Sequence, residues 1–252
     1  MTELAFHHWL ALGVIGVAVL VFVVLFFVTA PYGRYARAGW GITISNRLGW
    51  VIMESPAALA FAGIYVFGRN AWQPVPLVLA AIWLTHYVHR AFIFPLRLRS
   101  GKKPMPASVA CMAIGFNIVN AYLNARWISH LGVYDLSWLS DPRFLVGAAA
   151  FAIGMVVNIT SDNILFSLRK PGESGYKIPK GGAYRWVSMP NYFGELIEWG
   201  GWAVATWSLA GTSFLLFTFA NLVPRAFTNH RWYQEQFPDY PKERRAVIPW
   251  LL

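Results

Sequence analysis

The sequence has few charged residues and a single cysteine. Charged side chains make up 13% of the 252 residues, roughly half the share found in soluble domains. Hydrophobic side chains make up 57%, and 13 residues are tryptophan. This composition predicts an integral membrane protein rather than a soluble domain. The lone cysteine, Cys111, excludes an internal disulfide and a thiolate metal cluster.

Acidic residues are scarce, at 11 against 21 basic ones, which gives a net charge of +10. In a soluble protein this charge would suggest nucleic acid binding. The apolar runs described in the next paragraph predict seven membrane helices. All but three of the basic residues fall in the segments on one side of these helices; the exceptions are Arg69, Arg126 and Arg143. By the positive-inside rule, the long loops and the C-terminus are expected in the cytoplasm and the N-terminus outside.

Apolar runs of about 20 residues recur along the chain, long enough to cross a bilayer as helices. The run from Leu10 to Ala30 follows Glu3 but no basic residue, which predicts a retained helix rather than a signal peptide. A short turn at 210–213 separates the last two runs, so a single interrupted segment is the alternative there. The predicted fold is an all-α polytopic membrane protein of one domain, with seven transmembrane helices near residues 9–30, 48–68, 71–95, 106–127, 144–167, 191–209 and 211–228.

Two polar stripes occupy the fifth and sixth predicted helices. Residues at positions i, i+4, i+7 and i+11 lie on one helical face. The stripes are Asn158, Asp162, Leu165 and Arg169, and then Asn191, Glu195, Glu198 and Trp202. They indicate a polar pocket between helices that opens to the cytoplasm. The alternative is that these side chains only bond one another across a helix interface.

The loop between the two stripes is basic, with glycines interleaved. It contains Arg169, Lys170, Lys177, Lys180 and Arg185. Such a loop suits phosphate binding. A loop lying beside anionic lipid would have the same composition.

Polar residues also occur in the second and third predicted helices. Glu54 and Tyr87 would form a pair of hydrogen-bond donors able to polarise a carbonyl oxygen. His86 and His89 have neither the spacing nor the neighbours of a zinc site, so no metal site is predicted. In the C-terminal tail, Arg225, Asn229 and Tyr233 share one helical face. They predict a lid or wall of the same pocket, the alternative being a tail that rests on lipid headgroups.

Long segments of the chain resemble the steroid 5-alpha-reductases. The C-terminal half of that family is similar to NITSDNILFSLRKPGESGYKIPKGGAYRWVSMPNYFGELIEWGGWAVATWS followed by PRAFTNHRWYQEQFPDYPKERRAVIP. Its N-terminal half is similar to VIMESPA and THYVHRAFIFPLR. The resemblance covers nearly the whole chain, in the same order.

The resemblance implies a seven-helix membrane oxidoreductase that uses NADPH to reduce the double bond of a 3-oxo-Δ4-steroid. Hydride would pass to C5, negative charge would build on the 3-oxygen, and a proton from water would reach C4. Glu54 and Tyr87 match the catalytic pair that holds the 3-oxo group, within a substrate half at residues 1–105. The NADPH half, residues 106–252, would bind the cofactor through Asn158, Asp162, Arg169, Tyr176, Asn191, Glu195, Arg225, Asn229 and Tyr233.

The chain departs from the family pattern at Met53, where a glutamine usually precedes the glutamate. This change affects the expected substrate more than the expected reaction. The family lacks the glycine-rich GxGxxG dinucleotide motif, as this sequence does. The expected partners are a steroid or another lipophilic enone and membrane lipid, with no nucleic acid. A monomer is expected, in a bacterial inner membrane or the endoplasmic reticulum, with its active site open to the cytoplasm.

Three other functions fit parts of the pattern. A trans-2-enoyl-CoA reductase of fatty-acid elongation shares the C-terminal signature and reduces the same kind of alkene. An isoprenylcysteine carboxyl methyltransferase has a related C-terminal half, but Asn191, Glu195 and the Glu54 with Tyr87 pair favour reduction. A non-enzymatic sterol-binding membrane protein would not need the polar stripes.

Overall fold

The computed structural model describes residues 1–31, 33–98, 103–169, 173 and 175–252, and most of these are helical, with very little strand. Arg99, Lys102 and Lys170, which the sequence assigns to the cytoplasmic side, lie outside the described residues. The helices are α1 Glu3–Phe27, α2 Asn46–Val66, α3 Pro74–Val88, α4 Phe94–Arg97, α5 Ala107–Arg126, α6 Pro142–Ser167, α7 Pro190–Thr206 and α8 Leu209–Gln236. The strands β1 Thr43–Ser45 and β2 Pro104–Pro106 form one short antiparallel pair, with Ile44 opposite Met105.

Among the residues that the structure describes, five helical segments are long and apolar enough to cross a membrane. They confirm the helical membrane class and correspond to the first five predicted crossings. α7 has 17 residues, a length of about 25 Å, and the second half of α8 is polar. The sixth and seventh crossings and the orientation of the termini therefore remain predictions. The five segments are Glu3–Phe27, Asn46–Val66, Pro74–Arg97, Ala107–Leu131 and Pro142–Ser167.

The break between the last two helices lies earlier than the sequence predicts. Trp207 ends α7 in the left-handed region, at φ 45°, and Ser208 caps α8 by accepting a 2.9 Å hydrogen bond from the Gly211 backbone. The prediction of a turn at 210–213 is wrong, because those residues lie inside α8. A serine at the N-cap satisfies a free helix-end N–H group and so sets the boundary at 208.

α6 and α7 pack antiparallel with their backbones in direct contact. A Cβ atom added at Gly154 would lie 2.4 Å from the backbone nitrogen of Glu198, and one added at Gly194 would lie 2.6 Å from that of Asn158. Small residues allow this close approach of membrane helices. It brings the two polar stripes of the sequence onto the same interface.

An aromatic cluster fixes α3 against α7 and α8. The Trp83 ring lies 5.4 Å from Trp199 and 5.2 Å from Trp202, and all three side chains are buried. The Trp83 indole donates to the Ala57 carbonyl at 2.8 Å, and the Trp202 indole donates to Asn124 at 2.7 Å. Because these buried N–H groups are satisfied, the cluster forms a stable base beside Tyr87.

Candidate active site

Arg90, which is largely buried, contacts the predicted polar residues of α6 and α7. One Arg90 nitrogen lies 3.0 Å from Glu195, and another lies 3.5 Å from Asp162. Asn191 donates to Asp162 at 3.2 Å, and Asn158 donates both to Glu195 at 3.2 Å and to the Asn191 carbonyl at 3.0 Å. Four predicted cofactor residues therefore form one network. They do bond one another, as the helix-interface alternative holds, but they do so around a cation contributed by a third helix.

The sequence interpretation missed Arg90, which it counted only among the loop cations. A π-helical turn at His89–Ile93 joins α3 to α4, and Pro95 cannot donate the helical hydrogen bond expected at its position. Arg90 leaves this turn toward the interior, between Trp50 at 4.6 Å and Phe94 at 4.5 Å. A π-helical turn leaves no period in the sequence, so spacing could not reveal this placement.

Glu54 and Tyr87 lie within electrostatic range of each other and of the Arg90 network. Tyr87 is 3% exposed, and Glu54 is the charged residue that acts on its hydroxyl most strongly. Arg90, Glu195 and His86 are the main charged neighbours of Glu54. Helices α2 and α3 therefore bring together the two groups that the sequence predicts as a donor pair.

A second buried pair clamps α3 to α7. The Nδ1 atom of His86 lies 2.7 Å from a Glu198 carboxyl oxygen, and the His86 ring packs edge-on against Trp199 at 4.6 Å. Glu198 is fully buried, and its other oxygen has no hydrogen-bond partner. In the described part of the chain no group of three or more potential ligands could hold a metal ion. This pair holds Tyr87, the residue after His86, against α7.

We expect Glu198→Ala to destabilise the fold by about 1 to 3 kcal/mol, the cost of leaving a buried partner unsatisfied. Glu198→Gln places an amide at the same position, which can still hydrogen-bond His86, so this variant should retain most of the stability. Thermal unfolding of both variants in detergent would test this. A melting temperature of Glu198→Ala equal to that of the parent would show that the pair contributes nothing.

A basic cleft opens beside the ends of α1 and α6, the start of α7 and the middle of α8. Its volume is about 240 Å³. Its lining includes four cations, three tyrosines and an amide: Arg34, Lys103, Arg169, Arg225, Tyr35, Tyr176, Tyr192 and Asn229. Arg169, Tyr176, Arg225 and Asn229 are predicted cofactor residues. Four cations around one concave surface create a strongly anion-attracting site.

Arg34 is the central cation of this cleft, and the sequence interpretation did not single it out. Its guanidinium lies over Trp232 at 4.1 Å, Tyr176 at 4.8 Å and Tyr233 at 4.9 Å. One nitrogen approaches the Tyr233 hydroxyl at 3.5 Å, and another is buried without a hydrogen-bond partner. Rings held around a guanidinium fix its direction, so Tyr233 contributes by orienting Arg34.

The basic loop contributes less than the sequence predicts. Of its basic residues that the structure describes, only Arg169 lines the cleft. Lys177 instead pairs with Glu173 at 2.7 Å, and Arg185 donates to the Gly182 carbonyl at 3.2 Å. The remaining cations come from the short turn after α1, from the residue before β2 and from α8, because the fold brings these segments together.

Tyrosines connect the cleft with the buried network. Arg225 donates to the Tyr192 hydroxyl at 2.9 Å, and Tyr192 follows Asn191 in the first turn of α7. Tyr184 is buried, and its pKa lies well above the ordinary value. The main cause is burial, and the second is the nearby charge of Asp162. Burial also raises the pKa of Tyr35. Both phenols therefore stay protonated at neutral pH and can donate hydrogen bonds.

The C-terminal segment folds back over the start of α7. The backbone nitrogens of Ser188 and Met189 donate to Arg245 and Ala246, at 2.8 and 3.0 Å. The Ser188 hydroxyl lies 2.5 Å from His230 on α8 and 2.6 Å from Tyr240 in the tail. These contacts fix α8, with Arg225 and Asn229, as a wall of the cleft.

Known proteins match this chain over most of its length. A family model described as 3-oxo-5-alpha-steroid 4-dehydrogenase matches residues 103–252. The steroid 5-alpha-reductase DET2 of Gossypium hirsutum is 45% identical over 249 residues, which cover 97% of this chain and 96% of that protein. DET2 of Arabidopsis thaliana is 47% identical over 237 residues, covering 91% and 90%. The 3-oxo-5-alpha-steroid 4-dehydrogenase 1 of Bos taurus is 45% identical over 240 residues, covering 93% and 92%.

Proposed function

The chain belongs to the 3-oxo-5-alpha-steroid 4-dehydrogenase family, and from that premise we propose that it binds NADPH in the basic cleft and a 3-oxo-Δ4-steroid against Glu54 and Tyr87. It is an oxidoreductase that reduces the steroid Δ4 double bond. The observation that supports this arrangement best is the run of polar residues between the cleft and Glu54: Arg225 bonds Tyr192 at the start of α7, and both Tyr192 and Glu54 are neighbours of Arg90. None of the three other functions considered from the sequence has a matching relative among those described above.

The residues of the cleft fit a phosphorylated dinucleotide. NADPH carries a pyrophosphate and a further phosphate on the adenosine ribose, and arginine binds phosphate through two parallel hydrogen bonds. Arg34 has a buried nitrogen without a partner that such an oxygen would satisfy. Arg34, Lys103, Arg169 and Arg225 would hold the phosphates. Asn158, Asp162, Asn191 and Glu195 would hold the nicotinamide end, farther from the cations.

When bound, NADPH supplies the hydride that reduces the double bond. Glu54 and Tyr87 would hydrogen-bond the 3-oxygen of the steroid and stabilise the negative charge that develops there. Tyr87 is buried and Glu54 is partly buried, which limits the water around them and strengthens both hydrogen bonds in the transition state. Arg90 lies between Asp162 and Glu195 in the same network and offsets part of their negative charge next to Glu54. The proton that completes the reaction at C4 would come from water.

The same proposal covers topology and partners. The basic cleft would face the cytoplasm, where NADPH is available, and α7 and α8 would complete seven crossings. Residues 1–105 would hold the substrate carbonyl and 106–252 most of the cofactor, with Arg34 and Lys103 added to the cofactor site. The protein would act as a monomer in a bacterial inner membrane or in the endoplasmic reticulum.

Neutralising a cleft cation should weaken NADPH binding with little effect on the chemical step. A hydrogen bond to a charged group contributes about 1.5 to 3 kcal/mol, so Arg34→Gln or Arg169→Gln should raise the KM for NADPH about tenfold to a hundredfold. At saturating NADPH, kcat should change little. Steady-state kinetics with NADPH and NADH would measure both values, and the variant that loses the ribose phosphate contact should also lose the preference for NADPH.

Arg185→Gln is the matched control, because Arg185 belongs to the same basic loop, is exposed and bonds a backbone carbonyl rather than facing the cleft. Its KM for NADPH should equal that of the parent. Equal effects of all three substitutions would place the cofactor elsewhere and leave the cleft with only a general electrostatic role.

A further inference from the structure

The side chain of Asn117 crosses from α5 to the turn of α2 that carries Glu54. Its amide nitrogen donates to the backbone carbonyl of Met53 at 2.6 Å, and the residue is 6% exposed. The same amide lies near the Glu54 side chain. Asn117 therefore bonds the backbone of the residue that precedes Glu54 and lies beside Glu54 itself.

This turn of α2 needs external support. Pro56 lies inside the helix, and a proline there removes a backbone hydrogen bond and crowds the carbonyl four residues earlier, at Ile52. The Ser55 hydroxyl bonds back to the Val51 carbonyl, an interaction that bends helices. Glu54 thus stands on a weakened stretch of backbone, and the Asn117 hydrogen bond ties that stretch to α5.

The side chain of Met53 supplies no polar group to Glu54. The Met53 side chain is buried and packs with Met105 and Ala110 in an apolar cluster. This cluster is closely packed against α2, since a Cβ atom at Gly49 would lie 2.4 Å from the Met105 sulfur. A side-chain amide beside Glu54 consequently comes from α5 and not from α2 itself.

We propose that Asn117 is a positioning residue for Glu54, an inference that rests on the proposed function. Its amide N–H fixes one oxygen of the Glu54 carboxyl, which directs the other oxygen toward the steroid carbonyl. Its bond to the Met53 carbonyl holds the supporting backbone still. A misplacement of about 1 Å at a reacting group can cost about a hundredfold in rate, so this support matters although Asn117 would not touch the substrate.

A second substitution at position 53 that restores kcat would distinguish a positioning role of Asn117 from a role in helix packing alone. Asn117→Ala should lower kcat about tenfold to a hundredfold while the dissociation constant for NADPH stays at the parent value. Adding Met53→Gln to Asn117→Ala places an amide next to Glu54 from the other side and should restore most of the lost kcat. Met53→Gln alone should change kcat by less than about threefold, because the Asn117 amide is already present.

Asn124→Ala is the matched control. Asn124 is a buried asparagine on the same helix that bonds Asn120 and Trp202 but not α2. It should lower the melting temperature at least as much as Asn117→Ala and leave kcat near that of the parent. If Asn117→Ala is not recovered as folded protein, Asn117→Ser takes its place, with a smaller loss of kcat that Met53→Gln again repairs.

A parent-like kcat for the folded Asn117 variant would overturn the proposal, as would a loss that Met53→Gln does not repair. Either result would reduce Asn117 to a helix-packing residue. The proposed function has a separate test, since Glu54→Gln must lose activity whatever Asn117 does. Loss of activity in Glu54→Gln together with a parent-like kcat in Asn117→Ala would reject only the positioning role of Asn117.

Discussion

Glu54→Gln and Tyr87→Phe should each lower kcat about 100-fold to 1000-fold, the usual effect of removing one donor that stabilises a developing oxyanion. Tyr87→Phe removes the hydroxyl, and Glu54→Gln replaces the carboxylic acid with a far less acidic amide, but both nearly preserve the shape of the side chain, so the fold and the cofactor site should persist. Steady-state reduction of a 3-oxo-Δ4-steroid and separate titration with NADPH would measure the two effects. The dissociation constant for NADPH should remain that of the parent.

Tyr134→Phe is the control for the loss of a buried hydroxyl. Tyr134 donates to the Thr206 carbonyl at 2.6 Å, at the opposite end of α7 from Asn191 and Glu195, so its removal should affect stability and not kcat. Parent-like turnover by both Glu54→Gln and Tyr87→Phe would remove these residues from the chemistry. A loss as large in Tyr134→Phe would show that any buried hydroxyl deletion disables the protein.

Arg90→Met should be the most destabilising single substitution among those considered. Arg90 faces Glu195 and Asp162 with a side chain only 12% exposed. Removing one partner of a buried ion pair leaves uncompensated charge and costs about 3 to 5 kcal/mol. Methionine matches the length of the side chain, so lost charge rather than lost volume is tested. Thermal unfolding in detergent should show a large fall in melting temperature, together with loss of activity.

Arg143→Met is the comparison, since Arg143 forms a 2.8 Å ion pair with Asp141 at an exposed helix start. Exposed pairs of this kind contribute little, so its melting temperature should stay close to that of the parent. Equal shifts in the two variants would mean that the Arg90 network does not hold α3 to α6 and α7.

Helical periodicity predicted the parts of the site that lie on regular helices. Asn158 and Asp162 on α6 do face Asn191 and Glu195 on α7, because spacings of four residues place side chains on one face. Glycines that allow backbone contact then bring the faces together. The seven crossings and the roles of the site residues stay predictions, since neither the helix lengths nor the comparisons test them.

The parts that sequence reasoning missed depend on irregular backbone. Arg90 turns inward at a π-helical turn, and Arg34 enters the cleft from a short 3-10 turn at Gly33–Tyr35. Neither position belongs to a repeating pattern. His86 was considered only as a metal ligand, whereas its partner Glu198 is 112 residues away and comes close only through the packing of α3 on α7. Such pairings become visible only in the folded chain.

Isotope transfer tests the central claim most directly. Purified protein is incubated with a 3-oxo-Δ4-steroid and NADPH that carries deuterium on the transferable position of its nicotinamide, and the product is examined by mass spectrometry and NMR. One deuterium at C5 of a 5α-dihydrosteroid is the predicted result. Absence of a reduced steroid, or a reduced steroid without deuterium at C5, would contradict a nicotinamide held in the basic cleft opposite Glu54 and Tyr87.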